Sequence, residues 1–251
     1  MVCPGRLNAG VMDWTQVYAS HGTAERIPGL LDRAERGGGE RVWEELWDRL
    51  CLYGETVSSA SFAALPRLVE LARTSPQALE LAGAILRGAP RDHGGDELLA
   101  GCAEAIAELR ELLDRRLRTR PENWLRAFRD LLAAEGQYHW SAVLEDFTDD
   151  FYHLPCPHCA VEVTVAIGGH GCYSAIRDWD LGDVDRRPLR PASPADLRGT
   201  GRWMYDTAVR DGQDRIADGI THLFGRAECP RCAAVFTVAD EYTAANLPTL
   251  C

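Results

Sequence analysis

Nine cysteines punctuate the 251-residue chain, and four of them form two short pairs, Cys156-Pro157-His158-Cys159 and Cys229-Pro230-Arg231-Cys232. Each pair is followed by alanine and then by a β-branched segment. A C-x-x-C turn aims both sulfurs at one point, and two such turns supply the four thiolates of a tetrahedral Zn2+. The spacing therefore predicts one structural zinc site built from Cys156, Cys159, Cys229 and Cys232. Seventy positions separate Cys159 from Cys229, an insertion that is tolerable because loop closure costs grow only logarithmically with length. Four protein thiolates would fill the ion's coordination sphere and leave no vertex for a reacting water.

Two other readings of these pairs fail on their surroundings. The first pair has the same four residues as the active site of strongly oxidising bacterial thiol oxidases. In thioredoxin-like folds, however, that motif opens a helix, which helps to lower the first thiol's pKa. Here a strand pattern follows, and the second pair would have no role. Zinc deaminases share Pro155-Cys156-x-x-Cys159 but also require His-x-Glu. None of the seven histidines has glutamate two residues on.

His170-Gly171-Cys172 is a weaker constellation. It would place a base beside a nucleophile, or offer an extra metal ligand, and it is carried forward as a secondary candidate site, although a turn after a strand is the plainer expectation. The acidic run from Asp178 to Asp185 does not fit EF-hand spacing. All 27 basic residues are arginine, which removes a P-loop lysine, a pyridoxal-phosphate Schiff base and a Ser–Lys dyad. Neither GxSxG nor HExxH occurs. No catalytic residue is assigned, and the balance leans away from an enzyme. The alternative is a metal- or thiol-dependent enzyme or biosynthetic accessory working at the His170/Cys172 loop.

The elements that must position these residues change in texture along the chain. Residues 13–150 read as successive amphipathic helices, with apolar positions at helical spacing in Ile27–Ala34, Val42–Leu50, Leu65–Ala72, Leu79–Ile85, Leu98–Leu113 and Trp124–Leu132. Glu40, Glu44, Glu45, Asp48 and Arg49 fill the outer face of the second. Trp43 and Trp47 fall on an apolar face as core residues, and Trp14, Trp124, Trp140 and Trp203 lie in helical patterns. Ile27-Pro28-Gly29-Leu30-Leu31 lines up with Leu65-Pro66-Arg67-Leu68-Val69 at an offset of 38, as in helix-pair repeats, with proline expected on the first turn of each copy. Residues 151–251 read as a zinc-ribbon-like module with a helical insertion. Val161–Ile167 and Ala234–Val238 are strands, residues 178–201 a loop, and Trp203–Val209 and Ile216–Phe224 helices. The predicted fold is mainly α: N-terminal HEAT-like helical repeats, then a small α+β module.

The net charge is −11. Neither half has the basic excess that nucleic-acid binding requires, so a nucleic-acid-binding zinc ribbon ranks as a second alternative. The arginines at 110, 115, 116, 118 and 120 are interleaved with acids and read as a solvated helix face. An acidic body suits a basic protein partner. The start of the chain has no secretory pattern, no apolar run is long enough to span a membrane, and nine cysteines do not suggest a disulfide scaffold. A reducing cytoplasm is expected.

Trp14 to Ala24, Ile27-Pro28-x-Leu30-Leu31, Trp43-Glu44-Glu45-Leu46-Trp47 to Gly54, and Ser59-Ala60-Ser61-Phe62-Ala63-Ala64-Leu65-Pro66-x-Leu68 resemble the start of HEAT-repeat-like (alpha-solenoid) proteins of actinobacteria. The tail, Leu223 to Cys232, is similar to members with a split CPxC zinc ribbon. The resemblance implies a solenoid with a protein-binding surface, in some cases in toxin–immunity contexts. It assigns no chemistry.

Overall fold

Each long helix of the N-terminal half carries an apolar stripe and is bounded by caps and turns, the pattern that forces helices to pair. The computed structural model describes residues 12–54, 56–89, 99–145, 147, 151–178 and 180–246. Over these the chain is mainly helical with an α+β part toward the C-terminus. It divides into two compact units, Met1–Ala142 and Val143–Cys251.

The first unit contains α1 (Ile27–Glu35), α2 (Glu40–Leu50), α3 (Ser59–Ala72), α4 (Pro76–Gly88), α5 (Ala103–Arg118) and α6 (Trp124–Ala134); the short α7 (Tyr138–Val143) runs up to the boundary, its last residue falling in the second unit. Ser75 caps α4 by accepting from the Ala78 N–H at 3.3 Å, with Pro76 on the first turn. Asn123 caps α6 in the same way, at 3.2 Å. The helices associate in pairs: α1 packs on α2, α3 on α4 and α5 on α6. From pair to pair, α1 meets α3 and α3 meets α5, while α2 meets α4 and α4 meets α6. Ile27, Leu30, Leu46, Phe62, Leu65, Leu81 and Phe128 form the buried centre.

Four expectations change here. Pro66 does not open a helix; α3 begins at Ser59, so the proline lies well inside it. The pattern from Leu98 is interrupted, because Cys102 is non-helical (φ −105°, ψ 11°) and stands at the position just before α5; Leu98 itself lies outside the described residues. Trp14 sits in a turn. Arg49 leaves the solvated face and is buried, because its guanidinium donates to the carbonyls of His21 and Thr23 at 3.3 and 3.0 Å and pairs with Glu45 at 2.9 Å.

The second unit is built on an antiparallel sheet in the order β1 (Phe151–Pro155), β2 (Glu162–Gly168), β3 (Gly171–Asp178), β4 (Gly182–Pro188). Next come α8 (Gly199–Arg210) and α9 (Asp214–Leu223), the two-stranded pair β5 (Arg226–Glu228) and β6 (Val235–Thr237), and α10 (Val238–Asn246). Val163, Val165 and Ile167 of β2 are buried, and α9 packs against that strand with Ile220 and Leu223 buried. The Ser174 hydroxyl donates to the Glu228 carbonyl at 2.7 Å and ties β3 to β5. The segment expected as a loop contains β4 and the start of α8. The acidic run forms a β-hairpin: Asp178 accepts from the N–H groups of Asp180 and Leu181 at 2.9 and 2.8 Å, and Asp183 accepts from the Tyr173 hydroxyl at 2.7 Å and pairs with Arg177.

Candidate metal centre

Both C-x-x-C segments occupy the tips of hairpins, the first between β1 and β2, the second between β5 and β6. Their backbones repeat one another bond for bond. The Cys156 N–H donates to the Val161 carbonyl at 2.8 Å, and the Ala160 N–H to the Cys156 carbonyl at 2.9 Å. In the second hairpin, Cys229 donates to Ala234 at 2.8 Å and Ala233 to Cys229 at 2.9 Å. The alanine after each pair is left-handed, with φ of 57° at Ala160 and 59° at Ala233. A left-handed non-glycine residue is uncommon, and finding the same one twice marks two copies of a single turn.

The turns bring all four sulfurs together. Cys156 Sγ lies 3.7 Å from Cys232 Sγ, and Cys159 Sγ lies 3.8 Å from Cys229 Sγ. All four lie within 4.8 Å of one another, with Cys156 and Cys229 buried and the other two half-buried. A disulfide needs a separation of about 2.0 Å, so these are neighbouring free thiols.

Electrostatics separates Cys156 from Cys229 and Cys232. Burial raises the Cys156 thiol, but the N–H groups of Cys159 and His158 outweigh it and hold the group at about 7. The N–H of Ala234 acts in the same direction on Cys232, yet burial and the three neighbouring sulfurs push that thiol up to about 12. Burial likewise raises Cys229. The Cys156 thiolate forms readily, while Cys229 and Cys232 hold their protons; a bound cation reverses that resistance.

The secondary candidate is rearranged. His170 is exposed in the β2–β3 turn, with its ring stacked on Phe151 at 5.0 Å. Cys172 instead gathers with Asp218 and His222 of α9, one ligand atom of each lying within 4.8 Å of the others. Sequence reasoning missed Asp218 and His222. Their four-residue spacing on an amphipathic helix was a visible signal, but nothing local linked it to a cysteine on a distant strand.

Compared with models of protein families, with curated proteins and with solved structures, the chain matches none. No helix among the described residues is long and apolar enough to cross a membrane.

Proposed function

We propose that the chain is a helical-repeat binding protein whose second unit is held together by one structural Zn2+, and that it works by docking a basic protein partner rather than by catalysis. The observation that carries the zinc half is the sulfur spacing. A tetrahedral ion with Zn–S bonds of about 2.3 Å has S···S edges of about 3.8 Å, and the two closest pairs stand at 3.7 and 3.8 Å. Four thiolates saturate the ion, so its role is to hold the two hairpins together.

Pair-on-pair packing of α1 to α6 supports a HEAT-like stack, because amphipathic helix pairs that bury their stripes only against neighbouring pairs produce an extended binding face. The excess of acid over arginine selects the partner's charge. Among the arginines, Arg73 is paired with Glu108, Arg110 with Glu135 and Arg118 with Asp114, which weakens the case for a polyanion. An immunity- or antitoxin-type binder is one concrete form of this reading.

Elemental analysis of the full chain tests the first half. Zinc is expected to survive dialysis and to be lost in Cys156→Ser and Cys229→Ser; a metal-free protein that keeps its fold would overturn it. Affinity capture followed by titration with the purified partner tests the second half. A basic protein bound more weakly at high salt is expected, whereas binding to nucleic acid with a steep salt dependence would overturn it.

A further inference from the structure

Cys172, Asp218 and His222 lie apart from the four-cysteine centre. The first C-x-x-C turn pairs with Val161, just before β2, whereas Cys172 stands opposite Ile167 near the strand's other end. Six residues of strand separate these points, about 20 Å. No single ion serves both groups.

The three side chains converge from two elements. Asp218 and His222 share a face of α9, four residues apart, and Cys172 belongs to β3, with one ligand atom from each within 4.8 Å of the others. The His222 Nδ1 stands 3.1 Å from the Asp218 carbonyl oxygen and 3.6 Å from the Asp218 carboxylate, so the imidazole faces the acidic group of its own helix. The His222 side chain is 13% exposed and that of Asp218 68% exposed, so the cluster has one sheltered side and one side open to solvent.

We propose that Cys172, Asp218 and His222 form a second metal site, for a borderline divalent ion of the Zn2+ class, with one coordination position left open. A thiolate, an imidazole and a carboxylate are the mixed donors that such an ion accepts, while calcium and magnesium take oxygen alone. The thiolate and carboxylate together carry two negative charges and balance the ion. Three protein ligands leave the fourth tetrahedral vertex for water or a small anion, the arrangement that separates open zinc sites from saturated ones. The site therefore differs in kind from the four-cysteine centre.

The test uses the full chain with its four-cysteine site already filled with Zn2+, titrated with further Zn2+ by calorimetry and with Co2+ by absorption. One additional equivalent is expected, with a thiolate-to-cobalt band in the near ultraviolet. Cys172→Ala should remove that band. Asp218→Ala, at an exposed position where folding is preserved, should weaken the additional equivalent about tenfold or more. Absence of a second equivalent overturns the proposal, as does a second equivalent that survives both variants. It is also overturned if no ion binds but alkylation of Cys172 by iodoacetamide slows in His222→Gln, since the trio would then be a thiol–imidazole pair. Loss of metal in Cys156→Ser alone bears on the other centre and leaves this one intact.

Discussion

Asp130 and Arg87 meet inside the first unit, their side chains 5% and 11% exposed. Gly83 makes the space for them: a Cβ there would stand 2.7 Å from Asp130 Cγ. Burial pushes Asp130 up to about 6, against the pull of the Arg87 guanidinium. In the unfolded chain an aspartate titrates near 3.9, so the folded protein holds an extra proton between those values. Its contribution to stability is complete below about pH 4 and is lost as pH rises through about 6. Relative to Asp130→Asn, the wild type should therefore lose on the order of 2–3 kcal/mol of unfolding free energy between pH 4 and pH 7. Urea denaturation of both proteins across that range measures it. A difference moving the other way would show that the ion pair, not burial, governs Asp130. None of this was legible in the sequence, where the apolar spacing of Trp124, Phe128, Leu131 and Leu132 marks a helix but gives no sign that Asp130 meets Arg87.

Pro66 inside α3 raises the question of what satisfies the carbonyl four residues earlier, since proline has no N–H to offer it. The Cys102 thiol does so, donating to the Phe62 carbonyl at 3.4 Å. Burial pushes Cys102 up to about 11, so the sulfur keeps its proton at neutral pH and remains a donor. Replacing Cys102 by valine, close in volume but without a donor, should cost about 1–2 kcal/mol, measured by chemical denaturation. In a Pro66→Ala background the restored N–H should take over the carbonyl and most of that cost should vanish. Equal costs in both backgrounds would break the link. The helical spacing of Leu65, Leu68, Val69 and Ala72 was readable from the chain, but the helix start was not. A proline suggests a first turn by local chemistry alone, and the thiol that answers the freed Phe62 carbonyl comes from 40 residues away in the chain. The strand β4 was hidden for a similar reason: Gly182–Pro188 has little intrinsic strand preference and is held by pairing with β3.

At the scale of the whole molecule, the zinc proposed for the four-cysteine centre would make the two units respond differently to a chelator. The first buries its own helical core, whereas the second depends on hairpins that four sulfurs bring together. A structural zinc contributes on the order of 10 kcal/mol, more than a small sheet unit is able to lose. Treatment with a strong chelator should open residues 143–251 to limited proteolysis while the helical circular dichroism of the first unit persists; equal resistance with and without metal would refute this. What the sequence determined by itself was local: helical stripes, the two C-x-x-C turns with their following alanines, and the acid excess. Each is encoded within a few positions, where periodicity and ligand spacing leave a direct trace. The tertiary structure alone decided that Cys172 meets His222 rather than His170, that Pro66 lies within α3, and that Asp130 is buried against Arg87. Those contacts join residues far apart in the chain, and side chains brought together only by packing leave no periodic mark on either segment.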